Sequence, residues 1–198
     1  YIDSAYRTMP GREHTGVMGS SLGGLASFYM LGMYPDTFSK AAVISPSFWW
    51  GDLQVTNDMA DMTFPEDVRI YMDGGHQEGA DESSMVSYMR LVIESLRLRG
   101  LDTYDNLFYY EDPAGVHNES AWARRGKMPL LYLYGDFDPS VESIDLMMAP
   151  DTLGVGDVAQ LIATIEHPHQ LYSTRLHGSF AIDDSEIADV FSNGIIIG

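Results

Sequence analysis

Five residues, Gly19-Ser20-Ser21-Leu22-Gly23, constrain what this chain can fold into more than any others. They read G-x-S-x-G and stand between a short apolar run, Thr15–Gly19, and a helical pattern, Leu25–Tyr34, that Pro35 stops. A serine on a sharp strand-to-helix turn needs small neighbours. Such a turn lifts the hydroxyl out at the top of a sheet and aims a helix N-terminus at it. With Gly24 following, the context marks Ser21 as a candidate nucleophile rather than one residue of a glycine-rich turn.

The surrounding pattern agrees. Lys40–Ser45, Val68–Met72 and Asn106–Glu111 are apolar runs of strand length. Between them Glu82–Arg99 predicts a helix, with Met85, Met89, Val92 and Leu96 on one face and Gly100 as C-cap. A short helix is expected over Glu119–Arg125. Strands alternating with helices imply a parallel sheet. The character changes after Gly135. Residues 136–141 (DFDPSV) read as a linker, beyond which period-2 alternation prevails, as in Ala159–Ile165. Asn193-Gly194 is a strong hairpin signal. The expected organisation is an α/β domain over 1–135, the linker, and a small all-β domain over 142–198.

A serine nucleophile needs a base and an orienting acid, in the chain order Ser, acid, His for this kind of fold. Six histidines compete. His117 follows a strand, in the loop Pro113–Asn118, downstream of every acid candidate. His14 precedes the nucleophile, and His76 sits beside the acid loop. The loop after Val68–Met72 reads DGGHQEGADE. It offers Glu78 first, Asp81 second and Asp73 third. His167, His169 and His177 fall in the β region. The H-x-H spacing on a strand would put two imidazoles on one face, as in a metal site, but no carboxylate accompanies them, so no metal is expected.

Composition removes other classes. Eleven Lys and Arg against 29 Asp and Glu leave a net charge of −18, which repels phosphate backbones and argues against nucleic-acid binding. No cysteine means no disulfide, no thiolate metal site and no Cys nucleophile. No run approaches the roughly 20 apolar residues of a membrane-spanning helix. No signal peptide is visible, and the chain opens at Tyr1 in what reads as mid-domain sequence.

Four separated motifs carry a resemblance: GSSLGGL at 19–25, SPSFWW at 45–50, YMDGGHQEG at 71–79 and GVHNESAW at 115–122. In this order they resemble the esterase family of α/β hydrolases that includes siderophore esterases, feruloyl esterases and S-formylglutathione hydrolases. Ile2-Asp3 and Tyr6-Arg7-Thr8 resemble the stretch before its nucleophile strand. The resemblance implies Ser21 as nucleophile, His117 as base and Glu78 as acid, where relatives often carry Asp. It also implies an oxyanion N–H from Leu22, a substrate pocket lined by Ser20, Ser47, Phe48, Trp49 and Trp50, and no cofactor. It begins mid-family, so the first strands and the loop giving the second oxyanion donor are expected to be missing. The β region resembles a group 2 bacterial immunoglobulin-like domain, in residues 141–165 and 185–198, which implies a small all-β sandwich of two sheets with its last strands expected to be missing. That resemblance implies a secreted or cell-surface setting and contact with carbohydrate or a cell surface.

The expected function is cleavage of a small carboxylic ester through an acyl-enzyme. Two rivals stand beside it. One is an adhesion protein with a degenerate hydrolase scaffold, which an intact Ser-acid-His set disfavours. The other is an acyltransferase of the same superfamily, which sequence does not separate from a hydrolase.

Overall fold

The computed structural model describes residues 1–79, 84–149, 152–182, 188–192 and 194–197. They form two compact units, Tyr1–Phe137 and Asp138–Gly198.

The first unit opens with one helical turn, α1 (Ile2–Ala5), and is built on a four-stranded parallel sheet. Its strands are β1 (Gly16–Ser20), β2 (Lys40–Ile44), β3 (Arg69–Gln77) and β4 (Leu107–Val116), in the order β1-β2-β3-β4. The helices are α2 (Leu22–Met33), α3 (Gln54–Asp58), α4 (Ser84–Leu98), α5 (Glu119–Arg125) and α6 (Lys127–Tyr134). α2 packs on β1 and β2, α4 on β3, and α6 on β2 and β3. Strands covered on both faces read as unbroken apolar runs. Ala41, Val43, Ile70, Tyr71, Met72 and Phe108 are accordingly buried together. β1 pairs with β2 and forms one end of the sheet, with Met18 half exposed.

Met85, Met89, Val92 and Leu96 are all buried, as their spacing predicts, although Glu82 at the expected helix start lies outside the described residues. The sequence carries no expectation for α6. Pro129 is its third residue, where a missing N–H costs no helical bond, and Tyr132 packs against Phe108 under the Arg69 guanidinium.

Two strands run further than their sequences suggest. Ile44 at the end of β2 is level with Asp73, yet β3 continues through Gln77. β4 likewise continues through Pro113 to Val116, across a register shift between Gly75 and Gln77. The expected loop Pro113–Asn118 is therefore mostly strand, and so is the first half of the expected acid loop. Two glycines permit the overrun: a Cβ on Gly75 would lie 2.2 Å from the Gly115 carbonyl oxygen.

The second unit is an antiparallel sheet around β6 (Val158–His167). β5 (Ser143–Ala149) lies along one side of β6, while β7 (Leu171–Arg175) and β9 (Ile195–Ile197) also pair with it. β8 (Asp189–Val190) pairs with β9. The described strands make one sheet, where the sequence reading expects a two-sheet sandwich. Asn193 of the expected hairpin lies outside the described residues, and Gly194 takes φ 75° between β8 and β9.

Candidate active site

Ser21 stands at φ 59° and ψ −123°, between the end of β1 and the start of α2. Non-glycine residues rarely hold such a backbone, and the neighbouring chain keeps it in place. The Ser21 N–H bonds the Ile44 carbonyl at 3.0 Å, and the Ser21 carbonyl accepts from Leu25 N–H at 3.1 Å and Ser47 N–H at 3.0 Å. The glycines of the motif differ in their duties. A Cβ on Gly19 would lie 2.3 Å from the Gly23 carbonyl oxygen, and one on Gly24 would lie 2.8 Å from that of Ile44. A Cβ on Gly23 would meet nothing within 4 Å. Leu22 begins α2, where backbone N–H groups have no intrahelical acceptor, and its side chain is exposed.

The other two chemical groups ride on the overrunning strands. Glu78 directly follows β3 and is 3 % exposed, and His117 directly follows β4. The Asn118 side chain caps α5 by accepting from Ala121 N–H, which fixes the chain just past His117. His117 Nε2 lies 2.9 Å from Ser21 Oγ, and its Nδ1 lies 3.1 Å from Glu78 Oε2. Ser47 Oγ is 3.2 Å from Ser21 Oγ.

Of the other expected acids, Asp73 is fully buried but takes the Tyr71 hydroxyl at 2.8 Å and faces Arg125 Nε at 3.2 Å. Burial pushes its carboxyl up, against the pull of Arg125 and Tyr71. Asp81 lies outside the described residues. The structure thus brings Glu78 to His117 and gives Asp73 other partners.

The remaining histidines stand elsewhere. His76 Nε2 contacts Glu111 at 2.8 Å, and Arg90 grips the same carboxylate with two nitrogens, at 2.7 and 2.6 Å. His14 stands beside Glu13 in an early turn. His167 ends β6 and is buried between the Ser140 carbonyl and the Ser173 hydroxyl, whereas His169 sits in the following turn at φ 67°. The H-x-H pair therefore does not share a strand face. Among the described residues no group of three His, Asp or Glu side chains could hold a metal ion, and no helix is long and apolar enough to cross a membrane.

Of the expected pocket residues, Ser20 is partly buried at the end of β1 and Ser47 is buried. Phe48 is fully buried, edge-on to Phe28 at 5.5 Å, so it packs core rather than facing solvent. Trp49 and Trp50 are each about half exposed.

Sequence reasoning missed Ser45, Trp122 and Arg125. Ser45 is fully buried at φ 41° just past β2. Trp122 stands edge-on to the His117 ring, with centroids 5.0 Å apart. Arg125 is 3 % exposed and faces Asp73, Glu78 and Asp112 at 3.2, 3.2 and 3.1 Å. Burial pulls the guanidinium down, but the carboxylates outweigh it and hold it above its ordinary value. One signal was available: Trp122 and Arg125 are i and i+3 on a helix that starts beside His117, so they share a face.

The family model described as "Putative esterase" matches residues 1–125. Among curated proteins, the uncharacterized protein YbbA of Bacillus subtilis is 31% identical over 127 residues, covering 62% of this chain and 50% of that protein. The chain thus spans about half the length of the curated relative it matches. Among solved structures, the fold is similar to FphF, a fluorophosphonate-binding serine hydrolase of Staphylococcus aureus solved with substrate bound. That likeness has a TM-score of 0.51 at 16% identity, over 67% of this chain and 59% of that one. The BES protein of Bacillus cereus gives a TM-score of 0.50 at 20% identity, over 62% of this chain and 46% of that one.

Proposed function

The chain belongs to the esterase family that its residues 1–125 match, and on that premise we propose that it cleaves carboxylic esters as a serine hydrolase, with Ser21 as nucleophile, His117 as base and Glu78 as the acid that orients the base. The observation that carries this reading is the unbroken line from Ser21 Oγ to His117 Nε2 at 2.9 Å and from His117 Nδ1 to Glu78 Oε2 at 3.1 Å.

A carboxylate at Nδ1 holds the ring with its proton there, which leaves Nε2 free to accept. As Ser21 Oγ attacks the ester carbonyl, its proton passes to Nε2. The tetrahedral oxyanion takes the Leu22 N–H at the start of α2, where the helix dipole adds to the donor. The imidazolium then protonates the leaving alcohol. Water, deprotonated by the same nitrogen, attacks the acyl-enzyme, and Ser21 Oγ leaves with the proton. Ser47 touches the nucleophile, and Trp49 and Trp50 follow it closely in the chain with exposed rings. That supports a substrate with an apolar or aromatic part near the ester. For the second unit the reading remains an immunoglobulin-like module in a secreted or cell-surface protein, contacting carbohydrate or a cell surface. Its support is the antiparallel sheet around β6.

The test is a fluorophosphonate probe. It should phosphonylate Ser21, located by mass spectrometry, and His117→Ala should abolish the reaction. An adduct on Ser20 or elsewhere, or labelling indifferent to His117, overturns the assignment.

A further inference from the structure

Which oxygen of Glu78 faces His117, and whether it stays there, is decided by a neighbour outside the Ser-His-Glu line. Trp122 Nε1 and the Arg125 guanidinium can only donate hydrogen bonds. Both point at Ser45 Oγ, at 3.1 and 2.9 Å. A serine hydroxyl has two acceptor sites and one proton. The two donors fill the acceptor sites, so the proton goes to Glu78 Oε1, 2.7 Å away. The same Oε1 accepts from Gly75 N–H at 2.9 Å and Arg125 Nη2 at 3.2 Å. Three donors on Oε1 hold the carboxylate against rotation and leave Oε2 turned to His117 Nδ1.

On the reading of Ser21, His117 and Glu78 given above, we propose that Ser45 is the positioning residue of the catalytic acid, itself oriented by Trp122 and Arg125. Two further observations support this. Ser45 holds φ 41°, a backbone that glycine would adopt without strain, so the hydroxyl occupies a place that conformational preference alone would not give it. The two donors come from α5, which begins right after the base. Its fourth and seventh residues, Trp122 and Arg125, return to the site, where Trp122 also buttresses the His117 ring edge-on. Acid and base are thereby braced by one short helix.

The test uses Ser45→Gly, which suits the backbone and removes the hydroxymethyl group, beside Trp122→Phe, which keeps an aromatic ring beside His117 and removes the Nε1–H donor. Two quantities are read on the whole chain: the rate of fluorophosphonate labelling at Ser21, and the downfield proton resonance of His117 Nδ1–H. Ser45→Gly should melt cooperatively, shift that resonance upfield or lose it to exchange, and slow labelling about tenfold, the effect of one hydrogen bond to a charged group. Trp122→Phe should move both in the same direction by less. A folded Ser45→Gly with resonance and labelling rate unchanged overturns the proposal. Should Ser45→Gly fail to fold, an unchanged resonance in Trp122→Phe overturns it instead. A wild-type chain that is never labelled at Ser21 overturns the hydrolase reading, while the resonance still reports on Ser45 and Glu78.

Discussion

Ser47 Oγ lies 3.2 Å from Ser21 Oγ, on the same oxygen that His117 Nε2 approaches to 2.9 Å. With the Ser21 proton committed to His117, the Ser47 hydroxyl is left to donate. In the mechanism proposed above, a donor there would stabilise the charge that gathers on Oγ when the acyl-enzyme breaks down. Ser47→Ala should keep the backbone bond from Ser47 N–H to the Ser21 carbonyl and lower kcat by about tenfold, the lower end of what a hydrogen bond to a charged oxygen contributes. Burst kinetics on p-nitrophenyl acetate check it. A variant as fast as wild type in the steady phase would show that the contact is packing alone.

His117→Ala should lower kcat on the same ester by about 10⁴-fold or more with little change in KM, since it removes a role exercised only in the transition state. Glu78→Gln should cost less than that, and Asp73→Asn less again, because Asp73 bonds Tyr71 and Arg125 rather than the base. Steady-state kinetics of the three variants order them. An Asp73→Asn loss greater than that of Glu78→Gln would transfer the acid's role.

The motif glycines should separate cleanly. Gly19→Ala drives a methyl to 2.3 Å from a backbone oxygen, so the elbow must open and both folding and labelling should fail. Gly23→Ala adds a methyl in open space inside a helix, where alanine is favoured by roughly 1 kcal/mol, and should melt at or above the wild-type temperature. Thermal melts of the two decide it. A Gly23→Ala protein that is the less stable of the pair would refute the steric account.

Acid stability should hinge on Glu111. Burial pushes its carboxyl up, but the Arg90 fork and His76 outweigh burial and bring it down to about 2, from an ordinary value of 4.5. A group depressed in the folded state stabilises fully above its unfolded value and loses that contribution as pH falls through the folded one. The window is therefore pH 4.5 down to about 2, and the amount is on the order of 3 kcal/mol. Asp73, raised by burial, titrates in the opposite sense and offsets part of it. Urea melts across this range should show a steep loss in wild type and a shallower one in Glu111→Gln. Equal slopes would place the acid sensitivity elsewhere.

The β1–Ser21–α2 elbow was legible because its requirements are local: two glycines where a Cβ would strike backbone, a short apolar run before, a helical period after. The face of α4 was legible for the same reason. The overrun of β3 and β4 was not. Gly74-Gly75 and Pro113 are loop signals, and only the approach of Gly75 to Gly115, about 40 positions on in the chain, turns them into strand. Ser45 escaped notice for a related reason. A serine after one strand, a glutamate after the next and an arginine on a later helix show no shared spacing until the sheet sets their order. α6 hid because Pro129 reads as a helix breaker unless the helix is known to start just before it.

Ser21 holds a backbone, φ 59° and ψ −123°, that glycine reaches freely and serine does not. Keeping any Cβ there costs on the order of 1–3 kcal/mol, more than the roughly 0.5–1 kcal/mol that glycine loses in chain entropy on folding. Ser21→Gly should accordingly outlast Ser21→Ala in a thermal melt. The serine thus occupies a place that the preference of the fold alone would give to glycine, which is what the nucleophile's role proposed for it would require.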